Sequence, residues 1–178
     1  MNINIKKQIL NLGCGNDSYG THRIDMFETP TTTQVVDIAN SKLPFTDQYF
    51  DEVRMWGVLE HLKNVGFLID EVYRVCKKGA LIDLKTDYAG WLFWHISKKR
   101  EHNKYLQHYY IVDEFKHEKG TDGHHYLFVE SHLKHHFYKF SNIQVSYEYH
   151  ASNPMVKFLL KLLPNHMGAR EINAIITK

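Results

Sequence analysis

Short apolar runs alternate with polar connections through the first half of the chain, and each run stops at a glycine, an acid or a turn. Residues 8–12 read as a first strand and 23–25 as a short second one. Residues 34–37, with Val35 and Val36 after a threonine-rich turn, read as a third. Leu43-Pro44-Phe45 then interrupts regular structure, because proline lacks an N–H and restricts the residue before it. Phe50–Trp56 reads as a fourth strand.

The period changes after it. Val65, Leu68, Ile69, Val72, Val75 and Cys76 recur at helical spacing and define one apolar face. Asp70 and Glu71 lie off that face, Arg74, Lys77 and Lys78 crowd the last turns, and Gly79 is the expected stop. Residues 80–84 follow as a buried fifth strand. Strands joined by crossovers imply a parallel sheet with right-handed connections.

The second half is less regular. Residues 88–106 are aromatic-rich and read as helical in part, and 117–123 as a loop. A helix is expected over 131–140 with Ser131 as its cap, then a period-two strand over 143–149. Residues 154–163 read as a short apolar helix opened by Pro154, expected to pack between the last strands, the alternative being contact with a membrane surface or a lipid-like acceptor, and Glu171–Thr177 read as the final strand. Without repeats or linker-like stretches, residues 1–178 read as one domain.

Composition narrows the function. A net charge of +2 gives no bulk electrostatic case for nucleic acid. The two cysteines, Cys14 and Cys76, do not form a disulfide framework, and no apolar run reaches membrane-spanning length, so a cytoplasmic protein is expected. His132 and His136 have the i, i+4 spacing of paired helical metal ligands, but no cysteine or convincing third ligand accompanies them and no metal site is assigned.

The candidate chemistry lies at 9–15. An apolar run breaks into Gly13-Cys14-Gly15, and a lone acid, Asp25, follows ten positions after Gly15. A buried parallel strand ending in glycines lets backbone approach a ligand that side chains would exclude. In open α/β sheets a nucleotide-like ligand sits there, beyond the carboxyl end of the first strand.

Taken in order, Leu10-Asn11-Leu12-Gly13-Cys14-Gly15, Ile24-Asp25, Val36-Asp37-Ile38, the run from Leu43 to Asp51, Val58-Leu59-Glu60-His61-Leu62 and the run from Glu71 to Ala80 resemble the class I S-adenosylmethionine-dependent methyltransferases, of the small-molecule, type 11-like kind. The resemblance covers roughly residues 8–84 and is architectural beyond them. It implies an α/β, Rossmann-like domain with a mostly parallel seven-stranded sheet and an antiparallel last strand. Residues 8–84 would form the cofactor-binding half and 85–178 the substrate-side and lid half. It also implies S-adenosylmethionine as cofactor and S-adenosylhomocysteine as product.

By the same resemblance Gly13, Cys14 and Gly15 would contact the cofactor's amino-acid portion, with Asn11 shaping the turn. Asp25, followed by Met26, would accept from the ribose hydroxyls, and Asp37 and Ile38 would border the adenine. Met55 and Trp56 would floor the site beneath the sulfonium. His61 is the catalytic candidate, with Asp87, Tyr88, His124 and His125 also near the expected mouth. A cover is expected from 87–110 and 117–126.

The chain departs from the pattern in three respects: Asp17 stands where a third glycine is often found, Asn11 replaces a more usual acid, and the first crossover is short. Only eight residues separate Gly15 from Ile24, too few for a full helix in the first crossover. The expected activity is methyl transfer by in-line displacement to a small-molecule or glycan-type acceptor, the alternative being a non-catalytic cofactor-binding or partner-dependent subunit of the same fold. A nicotinamide enzyme would need three spaced glycines and an acid about 20 residues on, and the chain has neither.

Overall fold

The computed structural model describes residues 6–91, 110–111 and 126–178. Its centre is a seven-stranded sheet in the order β3-β2-β1-β4-β5-β9-β8, built from β1 (Ile9–Leu12), β2 (His22–Asp25), β3 (Gln34–Val35), β4 (Phe50–Trp56), β5 (Cys76–Asp87), β8 (Asn142–Glu148) and β9 (Glu171–Thr177). The first five strands are parallel, and β9 lies antiparallel between β5 and β8. A separate two-stranded pair joins β6 (Tyr110–Ile111) to β7 (Tyr126–Leu127). The expected helical stretch at 88–106 and loop at 117–123 lie almost wholly outside the described residues, as do His124 and His125.

One face of the sheet is apolar and covered. Val53 and Met55 of β4, Ile82 and Leu84 of β5 and Ile172, Ala174 and Ile176 of β9 are all essentially inaccessible. They belong to one core with Leu68, Ile69, Val72 and Val75 of α1 (Val65–Val75) and Leu133 of α2 (Glu130–His136). The alternate positions point the other way, as the period of two requires. There Trp56, Leu81 and Ile175 remain 42 %, 41 % and 45 % exposed.

On that second face charged side chains interlock. Arg54 pairs with Asp83 at 3.2 Å and Asp17 at 3.3 Å, and its guanidinium lies 3.5 Å from the Tyr19 ring centre and 3.9 Å from that of Trp56. Lys85 reaches Glu148 at 2.7 Å. Residues 13–21 contain no helix, as their length implied, and this ladder ties the connection to the sheet instead.

Two boundaries and one packing arrangement differ from expectation. The helix ends at Val75 rather than running to Gly79, because the loop before β4 takes its terminal carbonyls: Gln48 N–H donates to Arg74 O at 3.0 Å and Tyr49 N–H to Val75 O at 2.7 Å. Lys77 and Lys78 are therefore strand residues, and Gly79 marks an irregularity in β5 where its N–H meets Lys178 O at 2.8 Å. Ser131 lies inside α2; the cap position is Val129, whose carbonyl accepts from the His132 and Leu133 N–H groups. The third difference is α3 (Pro154–Lys161), capped by Asn153, none of whose residues is buried.

Candidate active site

At the carboxyl ends of β1, β2 and β4 the chain encloses a cavity of about 460 Å³, within the range of small-molecule and cofactor sites. Gly13, Asp25, Met26, Ile38 and His61 line it, together with Phe27, Ala39, Asn40, Gly57, Val58, Leu62, Lys63 and Asn64. The sequence thus placed five of the lining residues at the site. It missed Gly57, although a glycine directly after the fourth apolar run was the available signal.

Gly13 bounds the cavity with a left-handed backbone, φ 63°, and a Cβ there would stand 2.7 Å from Val58 Cγ2. Only glycine tolerates both conditions. Gly15 is also left-handed, φ 50°, but faces open space. Its N–H donates to Asp25 Oδ2 at 2.8 Å, and its carbonyl accepts from the Thr29 and Thr31 hydroxyls at 2.5 and 2.7 Å. Asp25 Oδ1 accepts from Phe27 N–H at 3.1 Å. Each carboxylate oxygen therefore spends one lone pair on the loop and keeps another.

The remaining expected residues sit around the cavity without lining it. Asn11 is buried on the sheet's polar face, donating to Asp17 at 3.2 Å. The Tyr19 N–H, and then Arg54, hold the Asp17 carboxyl below the usual range. Cys14 is buried with its thiol 3.7 Å from the Thr32 hydroxyl. Asp37 closes its own turn, accepting from Ala39 N–H at 3.0 Å and Asn40 Nδ2 at 3.1 Å. Met55 and Trp56 are not among the residues that line the cavity: Met55 points into the helix-covered core, and Trp56, on the opposite face of β4, packs on Arg54 two residues back.

His61 ends the 3-10 turn Leu59–His61, anchored by its N–H to Val58 O at 3.1 Å. Below it, buried Glu60 accepts from the Thr86 hydroxyl at 2.8 Å and fixes the loop after β4 to β5. Among the described residues one trio, Glu148, His150 and Glu171, brings potential metal-ligand atoms within 4.8 Å. The Lys85 ammonium, 2.7 Å from Glu148 and 3.7 Å from Glu171, already supplies the cation there.

The fold can now be compared with known proteins. An S-adenosylmethionine-dependent methyltransferase of Archaeoglobus fulgidus superposes with a TM-score of 0.64 at 17 % identity, over 97 % of this chain and 86 % of that one. One from Thermotoga maritima gives 0.65 at 15 %, over 96 % and 81 %. Phosphoethanolamine N-methyltransferase 2 of Haemonchus contortus, in complex with S-adenosyl-L-methionine, gives 0.58 at 16 %, over 97 % of this chain and 48 % of that one. No curated protein matches the chain. Residues 21–82 match the family model of the methyltransferase domain.

The fold is therefore that of the class I enzymes. The match to the methyltransferase domain falls on the half of that fold which carries the cavity, and the structural neighbours named above are S-adenosylmethionine-dependent enzymes, so S-adenosylmethionine is the group against which the cavity is to be compared. The cavity fits that group. Bare backbone at Gly13, a carboxylate with spare acceptor capacity at Asp25 and an apolar wall at Ile38 meet at one opening.

Proposed function

We propose that the cavity at the carboxyl ends of β1, β2 and β4 holds S-adenosylmethionine, and that the chain methylates a small-molecule or glycan-type acceptor at its rim. The observation that carries this reading is the convergence of Gly13, Asp25, Ile38 and His61 on one cavity of about 460 Å³. Gly13 presents main chain to the amino-acid portion. Asp25 accepts from the ribose hydroxyls with its remaining lone pairs, and Ile38 packs on the adenine.

When bound, the cofactor supplies a methyl group on a cationic sulfur; the S–CH3 bond breaks as the bond to the acceptor forms, and the electron pair stays on sulfur. The protein's part is to hold the acceptor in line and keep water out, which is worth roughly 7–11 kcal/mol. His61 stands at the cavity wall and is the group to take a proton from an acceptor that must lose one. Asn40, Lys63 and Asn64 make the rim polar, which suits a hydroxyl-rich or anionic acceptor. Two free, buried thiols, Cys14 and Cys76, agree with a reducing, cytoplasmic setting. Burial pushes the Cys76 thiol up to about 12, which keeps it protonated and inert.

Calorimetric titration with S-adenosylmethionine, S-adenosylhomocysteine and NAD in parallel tests the cofactor. Selective binding of the two sulfur nucleosides is expected, and NAD binding overturns the assignment. Label transfer from methyl-tritiated cofactor to candidate acceptors then separates turnover from binding alone.

A further inference from the structure

The helix α3 presents an apolar face to solvent. Met155, Phe158, Leu159 and Leu162 follow i, i+3, i+4, i+7 and so share one side of the helix, where they are 72 %, 60 %, 55 % and 64 % exposed. Contiguous exposure on this scale marks an interaction surface rather than scattered apolar residues. The helix is nonetheless firmly rooted. Asn153 Oδ1 caps its first turn at 2.9 Å, the His166 ring beyond its end stacks on Tyr147 at 3.9 Å, and Tyr88 donates its hydroxyl to Asn165 O at 2.7 Å.

Charge decides between occupants. Residues 149–170 contain no aspartate or glutamate, but include Lys157, Lys161 and Arg170. The flanking acids, Glu148 and Glu171, are already engaged by Lys85 and His150. We propose that α3 docks on an anionic phospholipid bilayer, its apolar side entering the headgroup boundary while Lys157 and Lys161 extend to the phosphates. A second copy of this chain would set one cationic segment against another, so self-pairing is disfavoured.

The position of the helix adds a consequence. Strand β8 is antiparallel to β9, and β9 to β5, so α3 leaves β8 at the carboxyl edge where the cavity opens. The helix and the cavity therefore share one edge of the sheet. The surface stands independently of which acceptor the cavity takes. A helix of eight residues is only about 12 Å long, so the attachment is reversible and depends on both apolar burial and charge.

The test is co-sedimentation of the full chain with vesicles of phosphatidylcholine alone or with about 30 % phosphatidylglycerol, whose negative surface attracts basic segments. Binding to the anionic vesicles, weakened by salt, is expected. Phe158→Glu with Leu162→Glu should lower it by at least about tenfold, and Lys157→Gln or Lys161→Gln by about fivefold each. An unchanged urea midpoint shows that the variants remain folded. Equal sedimentation with neutral and anionic vesicles, insensitivity to these substitutions, or a concentration-dependent dimer abolished by Phe158→Glu without vesicle binding would each overturn the proposal.

Discussion

Alanine at Gly13 and alanine at Gly15 impose different costs on the same loop. Both positions are left-handed, at φ 63° and 50°, so each substitution strains the backbone by about 1–2 kcal/mol. A narrower unfolded ensemble returns about 0.4–1 kcal/mol. At Gly15 nothing lies within 4 Å of the new methyl, so Gly15→Ala should cost about 1 kcal/mol in all. At Gly13 the methyl would stand 2.7 Å from Val58 Cγ2, well inside an optimal carbon contact, and Val58 is only 4 % exposed. A β-branched side chain packed there cannot turn aside freely, so overpacking adds about 1–3 kcal/mol. Gly13→Ala should therefore cost about 2–4 kcal/mol, and because Gly13 and Val58 both line the cavity it should also weaken S-adenosylhomocysteine binding. Urea unfolding measures the first and calorimetry the second. Val58→Ala removes the opposing methyl, so in the double variant about 1–2 kcal/mol of the Gly13→Ala cost should disappear. If Gly13→Ala and Gly15→Ala cost the same, or the double variant is additive, the close approach is not what makes Gly13 a glycine.

Asp25→Ala removes both the loop's acceptor and the proposed ribose contact and should weaken cofactor binding at least about tenfold, a loss near 1.4 kcal/mol; unchanged affinity in calorimetry would dismiss the ribose assignment. Arg74 donates to Glu71 at 2.7 Å, Asp47 at 2.8 Å and the carbonyls of Leu43 and Phe45, and holds the Glu71 carboxyl below its usual range. Arg74→Met should therefore cost about 3 kcal/mol in a urea titration, and a loss near zero would show that the proline loop needs no such clamp. Burial, aided by neighbouring positive charge, holds the His22 and His136 imidazoles below their ordinary value. The unfolded chain then takes up protons that the folded chain refuses below about pH 6.5, so stability is full above that pH and declines as pH falls. Urea midpoints at about pH 7.5 and 5.5 should show the decline, and His22→Leu should reduce it; a flat profile would refute the assignment. Trp56→Ala should remove about 1 kcal/mol of contact with Arg54 and leave cofactor affinity unchanged, whereas lost affinity would return Trp56 to the site.

The strand positions were legible because each apolar run is bounded by a residue with its own physical reason to stop. Gly13, Asp25 and Ile38 were legible as residues that line one cavity because they sit at or just beyond strand ends, where the sheet cannot cover them. Trp56 was misplaced for a related reason. Alternation gives the face on which a residue lies, but not which face a crossover leaves open, and in β4 the two neighbours Met55 and Trp56 point to opposite sides of the sheet. The helix end at Val75 depended on carbonyls taken by Gln48 and Tyr49, a contact between segments distant in sequence. The sequence left α3 open between core and membrane surface for the converse reason, since an apolar helix reads alike whether a core or a bilayer receives it.

The missing first-crossover helix also bears on how the loop at Gly13-Cys14-Gly15 is held. A helix there would fix the loop through its own backbone bonds and offer N–H groups to an anion. Here side chains hold the loop from both sides. Asp25, Thr29 and Thr31 grip Gly15, and Arg54, packed on the Tyr19 ring, bridges Asp17 to Asp83. Such contacts are short and directional, so loop geometry depends on individual side chains rather than on a cooperative element. Single substitutions in Thr29, Thr31 or Arg54 should therefore reach cofactor affinity more strongly than substitutions on the outer surface of a crossover helix would, while leaving the helix-covered core intact.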